Sequence, residues 1–207
     1  MPRIPNAVRP AYDVDSLTDV AVRVFSVRGY DATRMDHIAR AANISKSSLY
    51  HHVSNKEELL AHALRRAVGS LGAILNEAGA REGSPRERME YVIRAAIAAE
   101  LRHLPEVSLL LRVRGNTEVE RWALDERRRF QERLVGLVRE AQAAGEICRD
   151  VDAALYVRLA LGMSNSLTDW YRPDGTWSAR QIADTVVGLV VTPLETDHFV
   201  GQRGRDG

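Results

Sequence analysis

The sequence of 207 residues has a single cysteine, Cys148, and only two lysines, Lys46 and Lys56, among 29 basic residues. One cysteine excludes an internal disulfide and any cysteine-rich metal site, and it fits a reducing compartment, so a cytoplasmic location is expected. No apolar stretch of secretory-signal type stands near the N-terminus. The longest strongly apolar uncharged run, 185–194, is far shorter than the about 20 residues that cross a bilayer, and no membrane partner is expected. A surplus of one charge is missing as well. The formal net charge is +1, so composition offers no basic footprint for nucleic acid, and any such footprint has to be local. Catalytic signatures are also lacking: there is no HExxH, P-loop, GxGxxG or nucleophile triad arrangement. Cys148 has no activating neighbour in sequence, and the histidines lack metal-ligand spacing. We therefore expect no catalytic residue, no metal and no cofactor. Action on thioesters is the enzymatic alternative, and no residue pattern supports it.

What is present is a composition 45% apolar and 28% charged, that of a globular protein, with alanine, leucine and arginine plentiful enough to favour helix. Helical spacing runs along the chain with almost no strand alternation. Leu17, Val20, Ala21, Val24 and Phe25 trace a first helix that stops at Gly29. Met35, Ile38, Ala39 and Ala42 trace a short second one, with Thr33 and Asp36 spaced like a capping box. Asn43, tolerant of left-handed backbone, marks a turn into a third helix over 46–52. A fourth opens at Lys56, capped by Asn55 or Ser54, and runs into the seventies. Pro85 stands at the first position of another. Helices follow over about 85–103, 105–112, 117–144, 151–171 and 178–191, separated by Pro105, Gly115-Asn116, Gly145 and Pro173-Asp174-Gly175. The expected fold is all-α with nine helices. A flexible arm (1–14) leads into a three-helix unit (15–55), then a larger helical unit (56–192) and a flexible tail (193–207).

Residues 33–53 read TRMDHIARAANISKSSLYHHV, two short helices joined by a tight turn, as a helix-turn-helix requires. Ile38, Ile44, Leu49 and Val53 form its small core. Ser45, Lys46, Ser47, Ser48, Tyr50, His51 and His52 then lie mostly outward, suited to phosphates and base edges. Lys56 is placed to meet the flanking backbone. Read without any relative, such a pair also occurs in proteins that never touch DNA, with Tyr50 as packing and the histidines as solvated surface.

The residues Gly29-Tyr30-Asp31-Ala32-Thr33, then 38–45, then Ser48-Leu49-Tyr50-His51-His52-Val53 and Lys56-Glu57-Glu58-Leu59-Leu60 resemble the tetracycline-repressor (TetR) family over about residues 15–62. The resemblance implies a homodimer that binds double-stranded DNA operators through the N-terminal unit. It also implies a C-terminal unit for dimerisation and a small-molecule effector. DNA contact is implied for Thr33, Lys46, Ser47, Tyr50, His52 and Lys56. Two positions depart from the family pattern. Asn43 replaces the usual turn glycine, and Arg34 stands where a second threonine often meets a phosphate.

The C-terminal half is less legible. Helix 151–171 is apolar nearly all round, and Ile182, Val186, Leu189 and Val190 line the last helix. Both either fill the monomer core or, as the resemblance implies, pack into a four-helix dimer interface through Leu155, Leu159, Met163, Leu167, Ile182, Val186, Leu189 and Val190. Helix 117–144 has an inner apolar stripe interrupted at Glu126-Arg127, which reads as a kink, a salt bridge or the wall of a ligand cavity. Candidate effector residues are Glu100, Arg112, Arg114, Trp122, Glu126, Phe130, Asn165 and Trp170. The tract Leu161-Gly162-Met163, Asn165, then Asp169-Trp170-Tyr171-Arg172-Pro173-Asp174-Gly175 is similar to one in TetR-type regulators of fatty-acid, aromatic-acid and steroid catabolism, several of which answer to acyl-coenzyme A thioesters. The expected function is a repressor released by an acyl-CoA or aromatic acid thioester. The alternative is a drug-sensing repressor of an efflux gene.

Overall fold

A computed structural model describes residues 12–191. Most of the expected arm and all of the expected tail lie outside the described residues. Within them there is helix and no strand. The N-terminal helices are α1 (Val14–Arg28), α2 (Met35–Ala41), α3 (Lys46–His52) and α4 (Lys56–Ile74). They are followed by α5 (Ala78–Arg81), α6 (Pro85–Arg102), α7 (Leu104–Leu110) and α8 (Glu118–Ala143). The chain continues through α9 (Ala153–Asn165), α10 (Leu167–Trp170) and α11 (Ala179–Val191). Nine of these have seven residues or more, as the periodicity predicts; α5 and α10 are single turns of four residues.

The contacts divide the chain into two compact units, and the division falls inside α4, between Ala63 and Leu64, rather than at its start. In the first unit Leu17 and Phe25 of α1, Ile38 and Ala39 of α2 and Leu49 of α3 are buried together. Each large side chain among them contributes about 1.5–3 kcal/mol of apolar burial. The caps follow from local chemistry. Asp13 Oδ1 accepts the Ser16 N–H at 2.8 Å and opens α1. Asn55 Oδ1 accepts the Glu58 N–H at 2.9 Å and opens α4. The expected Thr33–Asp36 capping box does not form. Arg34 is the cap residue of α2, and His37 Nδ1 reaches back to accept its N–H at 3.2 Å.

In the second unit α6 lies at the centre, packed on α8 and α11, with α9 against α8 and α11. Met89, Val92, Ile97, Phe130 and Leu134 form the heart of this core. Ser84 and Glu87 make a capping box around Pro85 at the start of α6. The expected continuous helix over 151–171 is interrupted. Ser166 Oγ donates to Met163 O at 2.7 Å and Thr168 Oγ1 to Asn165 O at 2.8 Å, local bonds that compete with the helix ladder at the α9–α10 junction. The expected interface residues divide by face. Leu167, Ile182 and Val186 are buried in the unit's own core, a correction to their placement at a dimer contact. Leu155 (51%), Leu159 (61%), Met163 (37%) and Leu189 (58%) face solvent, with Val190 half-buried beside them. No helix among the described residues is long and apolar enough to cross a membrane.

Candidate nucleic-acid interface and effector cavity

Helix α3 is held by one buried side and one cap. Leu49 is fully buried, and Ser45 Oγ accepts the Ser48 N–H at 3.0 Å. The turn that delivers α3 passes through Asn43 at φ 54°, the left-handed region that asparagine tolerates. This leaves Lys46, Ser47, Tyr50, His51 and His52 exposed, with Ser48 half-buried. Lys46 Nζ lies 3.0 Å from Asp36 Oδ1 on α2; this contact holds the Asp36 carboxyl below its usual range and the Lys46 ammonium above its own. A solvent-exposed pair of this kind is readily exchanged for a phosphate.

Two expected contact residues turn inward. Thr33 is 1% exposed and its hydroxyl donates to Gly29 O at 2.7 Å, so it holds the α1–α2 loop instead of facing outward. Lys56 Nζ donates to the carbonyls of Tyr30 (2.8 Å), Asp31 (3.3 Å) and Thr33 (3.0 Å) and sits 4.3 Å from the Tyr30 ring centre. It fixes the same loop. Arg34 is exposed at the start of α2. The local basic footprint that composition conceals lies on α1 and α2, where Arg23, Arg28, Arg40 and His37 line one groove. There His37 is pushed below its usual value by partial desolvation and then by the fields of Arg28, Arg40 and Arg34.

Inside the second unit, α4, α6, α7, α8 and α9 enclose a cavity of about 50 Å³. That space holds a water or two, against ~300–1,000 Å³ for an ordinary ligand site. Its wall is apolar (Leu71, Ala96, Val107, Leu110, Phe130 and Leu161) except for Glu100, Ser164, Arg127, Gln131 and Asn165. Glu100 Oε2 accepts a hydrogen bond from Ser164 Oγ, while its buried Oε1 has no hydrogen-bond partner among the described residues. Burial pushes the Glu100 acid up, opposed by Ser164 and by the Arg127 charge. Burial also lowers the Arg127 guanidinium from its usual value. Arg127, Gln131, Leu161 and Asn165 line both this cavity and a wider groove of about 1,000 Å³ between α8 and α9, where Arg128, Arg139 and Arg158 add positive charge.

Of the expected effector residues, Glu100, Phe130 and Asn165 meet at the cavity. The others do not line it. Arg112 and Arg114 are exposed on the turn before α8, whose shape is set by Glu120 Oε2 accepting the N–H groups of Arg114, Gly115 and Asn116. Trp122 is exposed, and Trp170 is exposed edge-on to Trp177 with ring centres 6.2 Å apart. Glu126 turns away to pair with Arg129, so the charged gap in the α8 stripe divides: a salt bridge for Glu126 and a cavity wall for Arg127. Arg127 carried a signal in that gap. Ser164 carried none, since its partner lies 64 residues away in sequence.

A capped helix with an open polar face on a three-helix unit is the geometry of the helix-turn-helix class. The pattern described as "Bacterial regulatory proteins, tetR family" matches residues 17–63, and "Tetracyclin repressor-like, C-terminal domain" matches residues 82–194. The chain belongs to the TetR family of transcriptional regulators. It is similar to a TetR-family regulator of known structure from Streptomyces coelicolor: 47% identity, TM-score 0.81, covering 96% of this chain and 94% of that one. It is 28% identical to the HTH-type transcriptional repressor KstR2 of Mycolicibacterium smegmatis over 88% of this chain and 91% of the relative. AibR, solved in complex with isovaleryl coenzyme A and operator DNA, is 27% identical with a TM-score of 0.71, covering 86% of this chain and 97% of that one.

Proposed function

We propose that the protein is a dimeric repressor released from its operator by an acyl-coenzyme A thioester. The observation that carries the reading is a small, mainly apolar cavity beside an arginine-bearing groove, the two sharing Arg127, Gln131, Leu161 and Asn165 in their walls. An acyl chain suits the first. The phosphates of coenzyme A suit Arg128, Arg139 and Arg158 in the second, because guanidinium forks match phosphate oxygens. The repressor name of KstR2 and the isovaleryl coenzyme A bound to AibR support the same reading.

The cavity is too small for a chain of several carbons, so binding has to widen it. Ala67 and Leu71 of α4 form part of its wall, and the N-terminal end of the same helix carries Lys56, the clamp on the α1–α2 loop. Displacing α4 therefore acts on the DNA-binding unit, and a ligand with higher affinity for the widened state shifts the population away from the operator-competent one. The outward faces of α9 and α11, with Leu155, Leu159, Met163 and Leu189, supply the apolar surface for a second copy. On DNA, Ser45, Lys46, Ser47, Tyr50, His51 and His52 enter the major groove and Arg34 meets the flanking phosphate. Thr33 and Lys56 act by positioning.

Fluorescence anisotropy of the protein's own upstream DNA tests this. A specific complex that dissociates on addition of straight or branched short-chain acyl-CoAs is expected. Release by cationic drugs and by no thioester would replace this reading with drug sensing.

A further inference from the structure

One wall of the cavity does not match the rest. Glu100 is 8% exposed, one of its oxygens is taken by Ser164, and the other is buried with no hydrogen-bond partner among the described residues. Buried polar atoms are nearly always paired, and an unpaired one calls for a partner from outside the chain's own hydrogen bonds. We propose that Glu100, oriented by Ser164, determines specificity by pairing with a hydrogen-bonding oxygen, a hydroxyl or carbonyl, on the hydrocarbon body of the effector. This rests on the reading of the cavity as the effector site.

Charge narrows the chemistry. Arg127 lines the same space, so a cation is disfavoured there, and Glu100, whose acid burial pushes up, offers a hydrogen-bonding partner rather than a counter-charge. A neutral oxygen satisfies both. A hydroxyl donates to Glu100 Oε1, and a carbonyl accepts from the protonated carboxyl, the form that burial favours here. A plain hydrocarbon leaves Oε1 bare after displacing any water, and a site built around a polar group discriminates strongly against the analogue that lacks it.

The test uses the full chain and matched probes. Calorimetry compares hexanoyl-CoA with its 3-hydroxy, 3-oxo and 6-hydroxy derivatives. Thermal shifts compare methylcyclohexane with cyclohexanol and cyclohexanone, which need no coenzyme A. At least one oxygenated CoA ester is expected to bind about tenfold or more tightly than its parent, and Glu100→Leu is expected to reverse the order. Should Glu100→Leu fail to fold, Ser164→Ala serves, because it frees the carboxyl from its orienting partner and shrinks the preference. Parents that bind as well as every oxygenated partner, or a preference that survives these substitutions, overturn the proposal. If no CoA ester binds while cyclohexanol or cyclohexanone raises the melting temperature of the wild type and not of Glu100→Leu, the thioester reading fails and the role of Glu100 stands. If neither class binds, that role is overturned too.

Discussion

Lys56 and Tyr50 differ at the residue scale in a way their sequence context conceals. All three protons of the Lys56 ammonium point at backbone carbonyls of the α1–α2 loop. Hydrogen bonds from a charged donor are worth about 1.5–3 kcal/mol each when formed in protected surroundings, and less here because Lys56 is only half-buried. Lys56→Met is therefore expected to cost about 1–3 kcal/mol in denaturant unfolding as well as operator affinity. Tyr50 is 46% exposed. Tyr50→Phe is expected to leave the melting temperature unchanged and to weaken operator binding about tenfold, the loss of one good phosphate hydrogen bond. Equal melting temperatures for wild type and Lys56→Met would show the ammonium to be free for DNA. Glu100 makes a further prediction. Unfolded, it ionises near its ordinary value of 4.5; folded, it holds its proton to higher pH. The folded state binds that proton more tightly, so stability from this group is lost as pH rises from 4.5 through the raised folded value and then levels off. Glu100→Gln removes the titration, and its melting temperature should gain on the wild type across that interval. A difference independent of pH would place the carboxyl in water.

At the scale of elements, the helices were legible wherever a cap or breaker coincided with apolar spacing. Ser84-Pro85, Gly145 and Asn43 each stand where the backbone needs them, with Gly145 at φ 74° and Asn43 at φ 54°. Asn43→Ala is expected to destabilise the first unit by about 1 kcal/mol, because alanine lacks the local polar compensation for a left-handed turn. Asn43→Gly should stay within about 0.5 kcal/mol of the wild type, since the glycine's conformational freedom offsets its easier fit. Equal losses in thermal unfolding would show that the side chain, not the dihedral, matters. Two elements were not legible. α5 is a single turn over AGAR with no side-chain cap hydrogen bond, and too short for periodicity to register. The break at Ser166 arises from hydroxyls bonding to carbonyls three residues back, inside a tract whose apolar spacing continues across it. The candidate site was legible where it is local, along α3, and obscure where it is assembled. Glu100, Arg127 and Ser164 come from three helices, and only Arg127 interrupted a pattern.

At the scale of the whole molecule, α9 and α11 each have a buried face and an exposed one. Val157, Ala160, Ile182 and Val186 fill the core, while Leu155, Leu159 and Leu189 stay outside. Replacing Leu159 and Leu189 together by glutamate should leave helical content intact and shift sedimentation from dimer to monomer, with operator binding lost in step. A monomeric wild type would remove the proposed interface. The account as a whole depends on α3 entering DNA as one of a symmetric pair. Hydroxyl-radical footprinting of the protein's own upstream region, over a salt series, measures this directly. Two protected half-sites on one face of the duplex, centred about 34–36 Å apart and fading steeply as salt rises, are predicted. Protection that is uniform along the fragment, or absent at every salt concentration, would contradict it.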